Sequence, residues 1–194
     1  MPLSRRAFLT SLAVVPAAAR AQSRDVDPFA GDRGLDAALL RLAGQCVLAG
    51  SRAPQLHPTL AALTTRDMLG GVLVSGENFR NAAMLEATVH AVVTATASDA
   101  PPVLVAADQE GGVVSHLSPV LPRMPSITTL GRIDDTTLTR RWGAAMGASL
   151  RGIGVNLDLA PVLDVRTNPA NMVVHMRTFG ADATLAARHA PAVI

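Results

Sequence analysis

The 194-residue chain contains no lysine and no tyrosine, one cysteine, and only 3% aromatic residues. Each scarcity removes a class of chemistry. Without lysine there is no Schiff-base nucleophile and no Walker-type phosphate lysine, so all 17 cations are arginine. A single Cys46 excludes an internal disulfide framework and any cysteine-based metal cluster. No apolar run approaches the roughly 18 residues that span a bilayer. Few aromatics and no basic stripe leave nothing to stack or track a nucleic acid, despite a pI near 9.9. Three of the arginines (Arg5, Arg6, Arg20) lie in the first 21 residues. The rest of the chain carries fourteen arginines against fifteen acids, close to neutral.

The remaining composition is apolar and globular. Hydrophobic residues make up 49% and mean hydropathy is +0.30, too apolar for a disordered chain and enough for one ordinary domain. Ser4-Arg5-Arg6-Ala7-Phe8-Leu9, an apolar stretch from Leu12 to Ala19, and Ala19-Arg20-Ala21 have the form of a twin-arginine export signal with its cleavage site. This predicts a signal over 1–21, a mature chain from near Gln22 and a periplasmic or extracellular destination. Residues 22–34, rich in Asp, Pro and Gly, read as an exposed lead-in.

From 35 onward strands and helices alternate. The spacing predicts helices over Leu35–Ala43, Pro58–Thr65, 82–97 (capped by Asn81), a long one from Asp134 or Asp135 to about Arg151, and Asp182–Ile194. Strands are expected at Cys46–Ala49, Gly70–Gly76, Val103–Ala107 and Val155–Ala160. Short, evenly apolar strands between helices indicate an α/β protein with a parallel sheet covered on both faces. Four βα units are half of a (β/α)8 barrel. A doubly wound sheet suits the length but lacks its G-x-G-x-x-G turn after the first strand.

In such folds chemistry collects at the carboxyl ends of strands. Those ends carry Ser75–Phe79, then Asp108-Gln109-Glu110-Gly111-Gly112, then Asp158 through Asp164. Asp108 can accept two hydrogen bonds from vicinal sugar hydroxyls, or can simply cap a turn. Glu110 reads as structural, paired to an arginine or to backbone N–H groups. Asp158 or Asp164 could partner Asp108 as acid and base, though Asp164, past Pro161, reads better as a brace for the next loop. Arg177 can clamp a substrate hydroxyl or carboxylate through its fork, or form an ion pair. His116 and His175 are acid/base candidates or structural histidines. No metal or other cofactor is implied.

Gly70-Gly71-Val72-Leu73 with Asn78, Val105–Gly112, Gly154–Val165, and Arg177-Thr178-Phe179-Gly180 with Asp182 occur in the order seen in glycoside hydrolase family 3. Over roughly 36–194 the chain resembles that family, nearest the β-N-acetylhexosaminidases that trim peptidoglycan fragments. The resemblance implies a TIM-type (β/α)8 barrel, of which about the first four βα units lie within 35–194, and retaining hydrolysis through an aspartate nucleophile. It assigns Asp108 to hydroxyls of the terminal sugar and Arg177 to the same subsite. Val113 and His116 stand where the family usually has arginines, the second a substrate ligand; His175 and Met176 replace a glycine and a small or acidic residue. The family's lysine–histidine pair, its acid/base histidine loop and its nucleophile belong beyond the fourth unit, so no catalytic residue is expected among these 194 and no turnover from them alone. Another class remains open: a non-catalytic sugar-binding or assembly protein completed by a second half-barrel chain. A small complete enzyme built on His116 or His175 is a third.

Overall fold

The computed structural model describes residues 36–52, 56–96, 100–118 and 120–194. The expected signal and lead-in lie outside the described residues. The chain divides into two units, 1–35 and 36–194, and every described element lies in the second.

Its helices begin where side chains can accept the unpaired N–H groups of a first turn. Helix α1 (Ala37–Gln45) is capped by Asp36, which accepts from the Ala38 N–H. Strand β1 (Leu48–Gly50) comes next. Helix α2 (Pro58–Thr65) opens on proline, whose missing N–H costs nothing there, behind a His57 cap. After β2 (Gly71–Leu73) comes α3 (Ala82–Ala95), where Asn81 accepts from the Met84 N–H at 3.0 Å. Strand β3 (Leu104–Ala107) runs into a feature the sequence did not announce, a small antiparallel hairpin of β4 (Gln109–Gly111) and β5 (Val114–Ser115). Gly111 and Gly112 make its turn at φ +77° and +61°, a region that favours glycine.

Helix α4 (Ile127–Ile133), also unannounced, is capped by Ser126. The two acids after it divide the work. Asp134 ends α4 in the left-handed conformation, and Asp135 opens α5 (Thr136–Gly152) by accepting from the Thr137 and Leu138 N–H groups. The expected strand over Val155–Ala160 shrinks to β6 (Leu157–Asp158). Helix α6 (Ala183–Val193), capped by Asp182, closes the described chain.

Strands β1, β2, β3 and β6 form one parallel sheet in chain order, and a helix follows each of them. A doubly wound sheet would reverse direction at a switch point; this one winds one way, as a barrel does. Val72, Val74, Val105 and Ala107 are buried in the core with Leu85, Val89 and Val92 of α3 and Leu150 and Val155 beyond. Among the described residues β1 and β6 each lack a second neighbouring strand. Beside those edges Leu48, Leu159 and Leu163 stay exposed, at 36–50% for the first and last, as does Leu104 at the start of the interior strand β3. Helices α5 and α6 are joined by fully buried His189, whose Nδ1 meets Thr139 Oγ1 at 2.8 Å and whose Nε2 meets Asp134 Oδ1 at 3.0 Å.

Candidate active site

The carboxyl ends of β1, β2 and β3 open on a cleft of about 580 Å³. Asp108 and His116 both line it, together with Ser75 from the end of β2 and, at the rim, Arg52 and Glu77, paired at 3.6 Å. The hairpin brings His116 there: its backbone N–H points to the Asp108 carbonyl at 3.4 Å, so eight residues of chain fold back over one strand end. Arg52 and Glu77 were not singled out from the sequence. Their only signal is position just past a strand end, which many residues share.

The acids differ sharply in how they are used. Glu110 is 2% exposed and takes both forks of Arg177: Nη2 donates to Oε1 at 2.7 Å, and Nε to Oε2 at 2.9 Å. Arg177 Nη1 donates to the Val173 carbonyl at 3.2 Å. A guanidinium has five N–H groups, so this leaves Arg177 two for another acceptor. Its side chain is 30% exposed and does not line the cleft, yet it lies in the field of Asp108 and Asp164 as well as Glu110. The Glu110 pair holds the guanidinium in its charged form more firmly than usual. The structural reading of Glu110 therefore holds, and Arg177 is first an ion-pair partner.

Asp158 Oδ1 accepts from the Gln109 N–H at 3.0 Å, so it sits beside Asp108 but is already engaged. Burial pushes its carboxyl up to about 6; the Gln109 N–H opposes this, and the nearby Asp108 and Glu110 charges add to it. Gln109 is fully buried, and its Oε1 accepts from the Leu117 N–H at 3.0 Å. Asp164 does not brace its loop as expected: among the described residues nothing hydrogen-bonds to its carboxylate, and the Arg166 N–H to Gly180 carbonyl bond at 3.0 Å does that work. Asp108, half-buried at the cleft wall, likewise has no hydrogen-bond donor on its carboxylate among the described residues. His175 is half-buried in the loop before Arg177 and does not line the cleft. Among the described residues no three His, Cys, Asp or Glu side chains cluster to hold a metal.

A parallel α/β sheet in chain order, with carboxylates gathered at the carboxyl ends of its strands, is TIM-barrel-like. The sequence model described as the glycosyl hydrolase family 3 N terminal domain matches residues 42–194, and the chain belongs to that family. A β-hexosaminidase of Nitrosomonas eutropha is 30% identical over 144 residues, 70% of this chain and 37% of that protein. The β-N-acetylglucosaminidase/β-glucosidase of Cellulomonas fimi is 30% identical over 66% of this chain and 22% of that protein. Among solved structures, a family 3 β-N-acetylglucosaminidase from Paenibacillus sp. superposes with a TM-score of 0.75 at 31% identity, covering 83% of this chain and 30% of that one. A β-N-acetylhexosaminidase from Beutenbergia cavernae gives 0.68 at 29%, covering 82% and 49%. The chain thus spans about a third of the length of the β-hexosaminidase it matches. Among the described residues no helix is long and apolar enough to cross a membrane.

Proposed function

We propose that these residues form the sugar-holding part of an exo-acting, retaining β-N-acetylhexosaminidase. One observation carries the reading: Asp108 stands at the end of β3 on the cleft wall with an unengaged carboxylate, while the neighbouring Glu110 and Asp158 are committed to internal partners. A half-buried carboxylate on a cleft wall with no donor among the described residues is suited to accept from a ligand. Two vicinal hydroxyls satisfy it. The imidazole of His116 on the cleft wall is a further ligand, standing in for a family arginine, and Arg177, outside the cleft lining, is proposed to reach the sugar through its two spare N–H groups. The substrate is a terminal β-linked N-acetylglucosamine or a related sugar, peptidoglycan fragments included, and no cofactor is required.

Retaining hydrolysis needs an acid/base group and a nucleophile about 5–5.5 Å apart. The family's lysine–histidine pair has no counterpart in a chain without lysine, so binding without turnover is expected of these 194 residues. Ser4–Leu9 and Ala19–Ala21 support export by the twin-arginine route. In calorimetry, N-acetylglucosamine should bind, and Asp108→Ala should weaken it at least tenfold, the scale of about 1.4 kcal/mol for a lost charged hydrogen bond. A chromogenic N-acetylglucosaminide should stay intact. Binding unchanged by Asp108→Ala, or hydrolysis at enzyme-like rates, overturns the assignment.

Among the described residues β1 and β6 have open edges, with exposed Leu48, Leu159 and Leu163 beside them, which favours a second reading beside the first. An unpaired edge with apolar flanks is a template for another strand. A second half-barrel chain would complete the sheet, and light scattering of the purified chain with and without such a partner separates the two readings.

A further inference from the structure

Asp108 is held by the backbone on either side of it, and those holds differ in kind. On the β3 side the Leu159 N–H donates to the Ala107 carbonyl at 2.9 Å, the last rung of the β3–β6 ladder. One residue beyond Asp108, the Gln109 N–H has no β6 carbonyl to meet. The Asp158 side chain takes the place of that missing rung and accepts at 3.0 Å. Gln109 has no other way to be anchored on that side, since its Oε1 serves the Leu117 N–H and its buried Nε2 has no partner among the described residues. From the third side the His116 N–H reaches the Asp108 carbonyl at 3.4 Å.

We infer that Asp158 is the positioning residue of the sugar subsite: its carboxylate, by gripping the Gln109 N–H, fixes the turn that aims Asp108 into the cleft. The sugar half of this rests on the proposed role of Asp108; the grip itself does not. A carboxylate acceptor makes a bond roughly twice as strong as a neutral one, so the hold depends on whether Asp158 carries its charge. The charged groups facing it are Asp108 and Glu110 on the β3–β4 segment, with Arg177 behind Glu110 from the loop before α6. Burial pushes its titration up to about 6, opposed first by the Gln109 N–H and least by the Leu159 N–H, with the charges of Asp108 and Glu110 adding to the rise. Above that pH the turn is pinned. Below it, the rung weakens and the aim of Asp108 relaxes.

The test uses the full chain. The Gln109 amide and the Asp108 carboxyl carbon are followed by NMR from about pH 5 to about pH 8, alongside N-acetylglucosamine affinity, in wild type, Asp158→Asn and Asp158→Ala. The expected Gln109 amide shift titrates near 6 in wild type and is flat in Asp158→Asn, which keeps an amide oxygen to accept the bond without a charge to lose. Wild-type affinity should fall about three- to tenfold on the acid side, Asp158→Asn should be pH-flat, and Asp158→Ala should be weaker throughout. A Gln109 amide that does not titrate, or titrates equally in Asp158→Asn, overturns the grip. Identical pH–affinity profiles in wild type and Asp158→Asn overturn the positioning role. Absence of sugar binding at every pH with an intact Gln109 titration overturns the sugar subsite instead, and the positioning of Asp108 then stands or falls on whether its carboxyl carbon follows the Gln109 midpoint.

Discussion

Replacing Arg177 by methionine isolates the energetics of the cleft's supporting ion pair. Glu110 is 2% exposed and both its oxygens accept from Arg177, at 2.7, 2.9 and 3.2 Å. Methionine keeps the bulk of the stem and removes every donor. Stripping one partner from a fully buried pair costs about 3–5 kcal/mol, because the survivor is an uncompensated buried charge. Arg177 is 30% exposed, so water can reach into the vacated space and soften that cost to about 2–3 kcal/mol. The reverse change, Glu110→Gln, should cost only about 1 kcal/mol, since the freed guanidinium can turn toward water. Urea unfolding of the full chain near neutral pH, with the slope compared between variants, measures both. The double variant should be more stable than the sum of the single losses implies, by about 1–2 kcal/mol of coupling. Additive losses, or Arg177→Met costing less than Glu110→Gln, would refute the picture of a buried charge held by a half-solvated partner.

The proton linkage of Asp158 has a definite sign. Its folded-state carboxyl at about 6 lies above the ordinary 3.8, so the ionised form opposes folding and that opposition eases as pH falls through 6. Between about pH 7 and pH 5 stability should rise by about 1 kcal/mol from this group, after allowance for solvent, and Asp158→Asn should abolish the rise. Asp134 and Asp182 act oppositely: hydrogen bonds from Arg188 and from Thr184, respectively, hold them below the usual carboxylate range, so their contributions are lost only in stronger acid. Gly111→Ala should lose about 2–4 kcal/mol in thermal unfolding, because a Cβ there meets the Pro125 carbonyl at 2.5 Å and the φ of +77° strains any side chain. Asp135→Ala should cost about 1 kcal/mol by removing the acceptor for two N–H groups at the start of α5. His116→Ala should weaken N-acetylglucosamine binding about threefold or more, and His116→Arg should restore it; binding indifferent to both removes His116 from the subsite.

Asp158 also joins stability to function in opposite senses. The charge that holds Gln109 is the charge that burial penalises, so the pH at which Asp158 grips most firmly is not the pH at which Asp158 opposes folding least. Binding sites commonly carry such a local cost.

Local physics made much of this protein legible from its sequence. Pro58, Asn81, Asp135 and Asp182 open helices where the sequence puts them, because capping is decided within three residues of chain. The runs at Gly70–Gly76 and Val103–Ala107 hold β2 and β3, since an apolar, β-branched stretch between turns has few other places to go. The ordered motifs also pointed to the family. Features that depend on residues far apart in the chain had no local signal. The hairpin over 109–115 turns on two adjacent glycines but exists because Gln109 and Ser115 can pair. Helix α4 hid behind Gly131 in its interior, and β6 shortened because only two of its residues find β3 partners in the ladder. The pairing of Arg177 with Glu110, 67 residues earlier, had no local signal, and the sequence left an ion pair and a sugar ligand both open. Only the tertiary structure shows the ion pair: a carboxylate buried to 2% exposure needs a counter-charge, and Arg177 is the cation the fold brings within reach.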